Sequence, residues 1–253
     1  DYGNITNGNS AVSWTFRKAP KFFDIVTWTG NATAGRTISH NLGSAPGMIL
    51  IKNTSGSTAN WRVYHRGLNG GTNPEQYSLR LNQTNAEATD SGAFNDTAPT
   101  STHFTLGVQA TNESGINYVA YIFAHNNNDG EFGPNQDQDV IKCGGYTGNG
   151  STTGPDVNLG FEPQWLLIKA TSVARDWHLF DAMRGTVTDG NDSLLQANLS
   201  DAESSSTEFV SFTSTGFKLN STDNKVNGNN HTYIYLAIRR GPLAAPEDAT
   251  KVF

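Results

Sequence analysis

The chain has 253 residues, only 16% of them charged, a formal net charge of −6, and Lys and Arg scattered along its length. That length suits one large β domain or two ordinary ones, and no basic stripe exists to neutralise a row of phosphates, so nucleic acid is not an expected partner. No apolar run is long enough to span a bilayer, which argues against membrane insertion, and the single cysteine, Cys143, excludes an intrachain disulfide and a thiolate metal site.

Taken in chain order, the first feature is "VSWTFRKAPKFFDIV", Val12–Val26, which resembles "VAYIFAHNNNDGEF" (Val119–Phe132) followed by "DVI". Val12–Phe16 therefore reads either as the last strand of a preceding unit, in a chain cut from a longer array, or as a strand completing the first sheet. "IVTWTGN" (Ile25–Asn31) is an extended stretch running into a Gly-Asn turn. "MILIK" (Met48–Lys52) is a continuous apolar run suited to a strand covered on both faces. "WRVYH" (Trp61–His65) alternates like a half-buried strand. Asn82–Thr89, with its counterpart Asn198–Ser205, carries the best helical signal and predicts one short turn per copy, with Asn82 or Thr84 as the cap in the first and Ser200 and Glu203 at capping-box spacing in the second. "TSTHFTL" (Thr100–Leu106) and "NYVAYIFA" (Asn117–Ala124) complete a set of strands punctuated by Gly, Asn, Pro and Ser.

After a polar, turn-forming stretch at His125–Asp139 the same set returns in the same order. "IKCGGYTGN" (Ile141–Asn149) answers the first strand and turn, and "WLLIK" (Trp165–Lys169) the second apolar run. "LQANLSDAE" (Leu195–Glu203) matches "LRLNQTNAE" (Leu79–Glu87), "TSTGFKL" matches "TSTHFTL", and "TYIYLAIR" (Thr232–Arg239) matches "NYVAYIFA". A repeat in this order predicts an all-β fold of two tandem antiparallel β-sandwich, jelly-roll-like domains, each with at most a short helical turn. The expected organisation is an N-terminal segment at 1–21, one repeat at 22–126, a linker at 127–138, a second repeat at 139–241 and a linker-like tail at 242–253. The two repeats are expected to be joined end to end, with no reaction centre between them.

Residues able to carry chemistry are few. His65 could act as a general base, but its counterpart is Asp181 and no nucleophile lies near it in a recognised pattern, so a strand-face histidine is the better reading. Glu87 and Glu203 recur in both copies, which points to a shared capping or local hydrogen-bonding role rather than half of a carboxylate pair. Asn127, Asp129 and Gly130 brush a calcium-loop pattern, but His125 and Gln136 stand where acids are needed. No metal and no cofactor is expected. The Asn-x-Ser/Thr triplets at Asn31, Asn53, Asn112, Asn149 and Asn198 follow from composition and are not read as glycosylated. Trp61 and Trp177 are equivalent and read as core. Trp28, replaced by Tyr146 in the second copy, lies beside a Gly-Asn turn and is expected to be partly exposed. A glycan or receptor contact is therefore sought at Trp28, Gly30 and Asn31, and at Tyr146, Gly148 and Asn149.

The stretches "SWTFRKAPKFFDIVTWTGN", "HNLGSAPGMILIKN", "WRVYHRGLNGG", "YTGNGSTTGPDVNLGFEPQWLLIK" and "GFKLN" followed by "TYIYLAIR" resemble a tandem domain of unknown function found in predicted tail-fibre and other virion proteins of marine bacteriophages. The resemblance covers almost the whole chain and supplies no catalytic residues. It implies a non-enzymatic module on the virion surface, with a tail-fibre or receptor-binding role in host attachment. Its expected partners are other virion proteins, further copies of itself (a trimer by analogy with fibres), and a host surface glycan or envelope protein. A capsid decoration or head fibre, and a carbohydrate-binding module of a larger adhesin, are the alternatives. A depolymerase ranks last, because no carboxylate pair stands out.

Overall fold

The computed structural model describes residues 11–186 and 190–241; the tail at 242–253 and the first part of the N-terminal segment lie outside them. The fold is all-β, with antiparallel open sheets forming sandwiches. In the first repeat the strands are β1 (Phe23–Thr29), β2 (Arg36–Ser39), β3 (Pro46–Asn53), β4 (Arg62–His65), β5 (Tyr77–Arg80), β6 (Ala88–Thr89), β7 (His103–Leu106) and β8 (Asn117–Ala124). In the second they are β9 (Ile141–Thr147), β10 (Asp156–Asn158), β11 (Pro163–Ala170), β12 (Trp177–Asp181), β13 (Leu195–Gln196), β14 (Val210–Thr213), β15 (Gly216–Leu219) and β16 (Thr232–Arg239).

The main sheets share one topology: β1-β8-β3-β4-β5-β6 in the first repeat and β9-β16-β11-β12-β13 in the second. Each is faced by a small sheet, β2-β7 or β10-β15-β14. Even the irregularities repeat. The register slips between Pro46 and Met48 and again between Pro163 and Trp165, where proline has no N–H to give the ladder. Within the first sandwich Trp28, Ile49, Phe94, Phe104, Tyr118 and Ile122 are buried; within the second, Ile168, Phe180, Val210, Phe217 and Tyr233 fill the same space.

The two repeats are not strung end to end. Their main sheets pack back to back, and one apolar cluster runs from Met48 and Phe123 on the first sheet to Trp165, Leu167, Trp177, Leu179, Ile234 and Leu236 on the second. Alternation along each strand explains this: Leu166 and Ile168 face their own sandwich while Trp165 and Leu167 face the other repeat. Polar bonds fix the pairing. Trp177 Nε1 donates to the Arg80 carbonyl at 3.0 Å, Lys169 Nζ to the Thr84 carbonyl at 3.1 Å, and the Glu87 amide to the Thr171 carbonyl at 2.9 Å.

Two further expectations are corrected. The short helix forms at α1 (Ser91–Phe94), not at Asn82–Thr89, and Asn198–Ser205 is turn plus an isolated bridge between Leu194 and Ser204. Asn82 instead bonds sideways, its Oδ1 accepting from the Trp61 amide at 3.0 Å, and Asn198 does the same for Trp177 at 2.9 Å, so neither side chain is spent on a helix N-terminus. Val12–Phe16 joins no sheet. Its aromatics dock instead: Phe16 lies 5.6 Å from Phe123 and 6.1 Å from Trp165, bridging the repeats, and Trp14 Nε1 donates to Asp181 Oδ2 at 2.6 Å.

Candidate functional site

The residues sought as a glycan contact prove to be two copies of one structural clamp. Trp28 is 7% exposed, stacks on Tyr118 at 5.4 Å and donates Nε1–H to the Thr111 carbonyl at 3.0 Å. Tyr146 stacks on Tyr233 at 5.0 Å and donates its hydroxyl to the Val226 carbonyl at 2.7 Å. Thr111 and Val226 each precede a fully buried asparagine. Asn112 Oδ1 accepts the Asn31 amide at 3.1 Å while Nδ2 donates to Asn31 Oδ1 at 2.9 Å; Asn227 treats Asn149 in the same way at 2.9 and 3.0 Å. Gly30 and Gly148 let the partner loop approach, since a Cβ there would lie 2.0 Å from the Glu113 carbonyl oxygen or 2.3 Å from that of Gly228.

One face of the Trp28 ring and one of the Tyr146 ring are thus stacked on Tyr118 and Tyr233, and the polar atom of each is tied to the partner loop, where it satisfies a backbone carbonyl; Tyr146 stays half-buried. Removing one clamp leaves several buried groups without partners, so Asn227→Ala is expected to cost about 3 kcal/mol in chemical denaturation. Asn112, at zero exposure, is closed to an attached glycan, whereas Asn31 and Asn149 are exposed.

The other candidates have structural partners too. His65 is buried; its Nδ1 accepts the Gly67 amide at 3.0 Å, so Nε2 carries the proton and donates to the Tyr235 carbonyl of the other repeat at 3.0 Å. Asp181, its counterpart, accepts from Trp14 and, through Oδ1, from the Met183 amide at 2.7 Å. Glu87 accepts the Asn69 amide at 2.7 Å, and burial raises its carboxyl above the usual range. Glu203 pairs with Arg184. At the two ends of the linker, Asp139 accepts the Asn128 and Gly130 amides at 2.9 and 3.1 Å, while His125 Nδ1 accepts the Cys143 amide at 3.1 Å. Among the described residues no cluster of His, Cys, Asp and Glu could hold a metal ion.

Of the residues sought as a contact, Tyr146 also lines, with Tyr233, a polar cleft of about 390 Å³ at one end of the junction between repeats, a cleft that the sequence does not otherwise mark. One wall is the Arg66–Gly71 turn after β4; the other is β9, the edge strand of its sheet, with Thr232 of β16. Glycine opens it. Gly67 approaches the second repeat so closely that a Cβ would sit 3.1 Å from Ile234 Cγ2 and 3.4 Å from the Gly144 carbonyl oxygen, and Gly145 presents no side chain at all. The Arg-Gly pair that closes both copies is visible in the sequence, but as a mark of duplication.

A family model described as a domain of unknown function, DUF7483, matches residues 3–242. Neither a curated protein nor a solved structure matches the chain.

Proposed function

The chain belongs to the DUF7483 family, and we propose that this member is a non-enzymatic structural and adhesive module of a bacteriophage virion surface. A tail fibre or related receptor-binding appendage that contacts the host envelope is the form we favour. One observation carries the non-enzymatic part: the groups best suited to chemistry are tied into the architecture, His65 across the two repeats and Asp181 to the N-terminal arm. A histidine whose two nitrogens are both bonded inside a core has no lone pair to offer a substrate. Back-to-back sandwiches sharing an apolar layer suit a durable particle component, and the virion setting rests on the sequence resemblance. Assembly with other virion proteins and with further copies of the chain, as a trimer, belongs to the same proposal.

Immunogold electron microscopy of intact particles tests it. Label on the tail is the expected result. Label confined to the head would make the protein a capsid decoration or head fibre, and absence from particles would defeat the reading. The cleft between repeats favours a second reading, a carbohydrate-binding module within a larger adhesin.

A further inference from the structure

We propose that the cleft between Arg66 and β9 binds an anionic saccharide unit, a sugar bearing a carboxylate or a sulfate. The inference deepens the adhesive reading above by naming a ligand class, and it starts from a broken symmetry. Both repeats close on Arg-Gly, and both carry the equivalent glutamate, Glu87 or Glu203. In the second repeat Arg184 is engaged through both terminal nitrogens. It pairs with Glu203, donates Nη2–H to the Leu179 carbonyl at 3.0 Å and lies 5.5 Å over the Trp14 ring. In the first repeat Glu87 is turned to the Asn69 amide. Arg66 is exposed and, among the described residues, makes no ion pair and no side-chain hydrogen bond. A guanidinium with five donors opens on the cleft with no anion of its own.

The opposite wall adds directional groups. β9 pairs with β16 on one side only. The Gly148 amide donates to the His231 carbonyl on the β16 side, and the Cys143 amide to His125 on the other. Alternation then turns the backbone N–H and C=O of Gly145 and Thr147 outward from the free edge. Both residues line the cleft, with the Thr147 and Thr232 side chains beside them. Donors and acceptors at close spacing suit the hydroxyls of a sugar ring, and the guanidinium fork suits a carboxylate or sulfate bidentately. The volume falls at the small end of known ligand sites, about 300–1,000 Å³. The cleft itself is lined mainly by glycine, threonine and Arg66 and offers little apolar surface to a peptide side chain, which is why a saccharide is preferred over an acidic peptide.

Titration calorimetry of the whole chain decides the matter. The probes are oligogalacturonate, its neutral methyl ester, a sulfated oligosaccharide and oligoglutamate. The carboxylated or the sulfated sugar is expected to bind, identifying which anion is read, and the ester is not. Arg66→Gln should weaken binding tenfold or more with the melting temperature unchanged, Arg66→Lys should retain part of it, and Thr147→Glu should abolish it by placing a like charge in the cleft. Failure of both acidic sugars to bind, equal binding of ester or oligoglutamate, or unaltered affinity in Arg66→Gln and Thr147→Glu would overturn the proposal. Particle labelling tests the virion reading separately, so either can fail while the other stands.

Discussion

Trp177→Ala is expected to lower the stability of the whole chain by about 4 kcal/mol, the range for emptying a large aromatic site in a core. Trp177 is 1% exposed and belongs to the apolar layer between the repeats. The truncation would remove its contacts there and leave the Arg80 carbonyl without the indole donor. Its equivalent, Trp61, is half-buried and stacks on Tyr121 at 6.0 Å, so Trp61→Ala should cost clearly less. Guanidinium unfolding curves of the two variants measure the difference. Equal losses would mean that the interface contributes little.

The second large effect is with acid. Burial pulls His65 down to about 3 and His178 down to about 4. Among the described residues neither ring nitrogen of His178 has a hydrogen-bond partner. Both histidines are therefore neutral in the folded chain but take up a proton below about 6.5 once unfolded. Their neutral-form stability is fully present above that pH and is lost as the pH falls through 6.5 towards 4 and 3. By pH 4.5 the two together should cost on the order of 5 kcal/mol relative to pH 7. Melting temperatures measured from pH 7 to pH 4 should fall steeply, and His178→Leu should shift the fall to lower pH. A flat profile down to pH 4 would show that these side chains are hydrated in solution.

Much of this fold could be read from the residues because the strands carry their own marks. β-branched and aromatic runs between Gly-Asn turns gave the strand character, and the duplicated order gave the sandwiches. The runs Met48–Lys52 and Trp165–Lys169 even imply burial on both faces, which is what the main sheets experience. Strand pattern states that a face is covered, however, and not what covers it. Leu167 and Leu236 would look the same beneath a helix, a loop or a second sheet, so the back-to-back packing was hidden. The misplaced helix has a local cause: Asn82 satisfies the Trp61 amide instead of capping a turn, and Asn198 holds the Trp177 amide in the same way. Trp28 misled for a similar reason. An aromatic beside a turn signals exposure only when the turn is at the surface, and here a buried asparagine more than eighty positions away closes over it. Arg66 carries no mark in the sequence, because what sets it apart is that, among the described residues, its side chain has no ion pair and no hydrogen bond.

Cys143 provides the most direct test of the shared core. It is the chain's only cysteine, lies on the outward face of the second repeat's edge strand, and is 1% exposed because the first repeat covers it; a Cβ on Gly47 would come within 2.6 Å of its sulfur. If the repeats are packed as described, a thiol reagent under native conditions should modify it slower than a free thiol by a factor on the order of a thousand or more, keeping pace with global unfolding. Reaction at the rate of an exposed thiol, with the rest of the protein still folded, would contradict that arrangement.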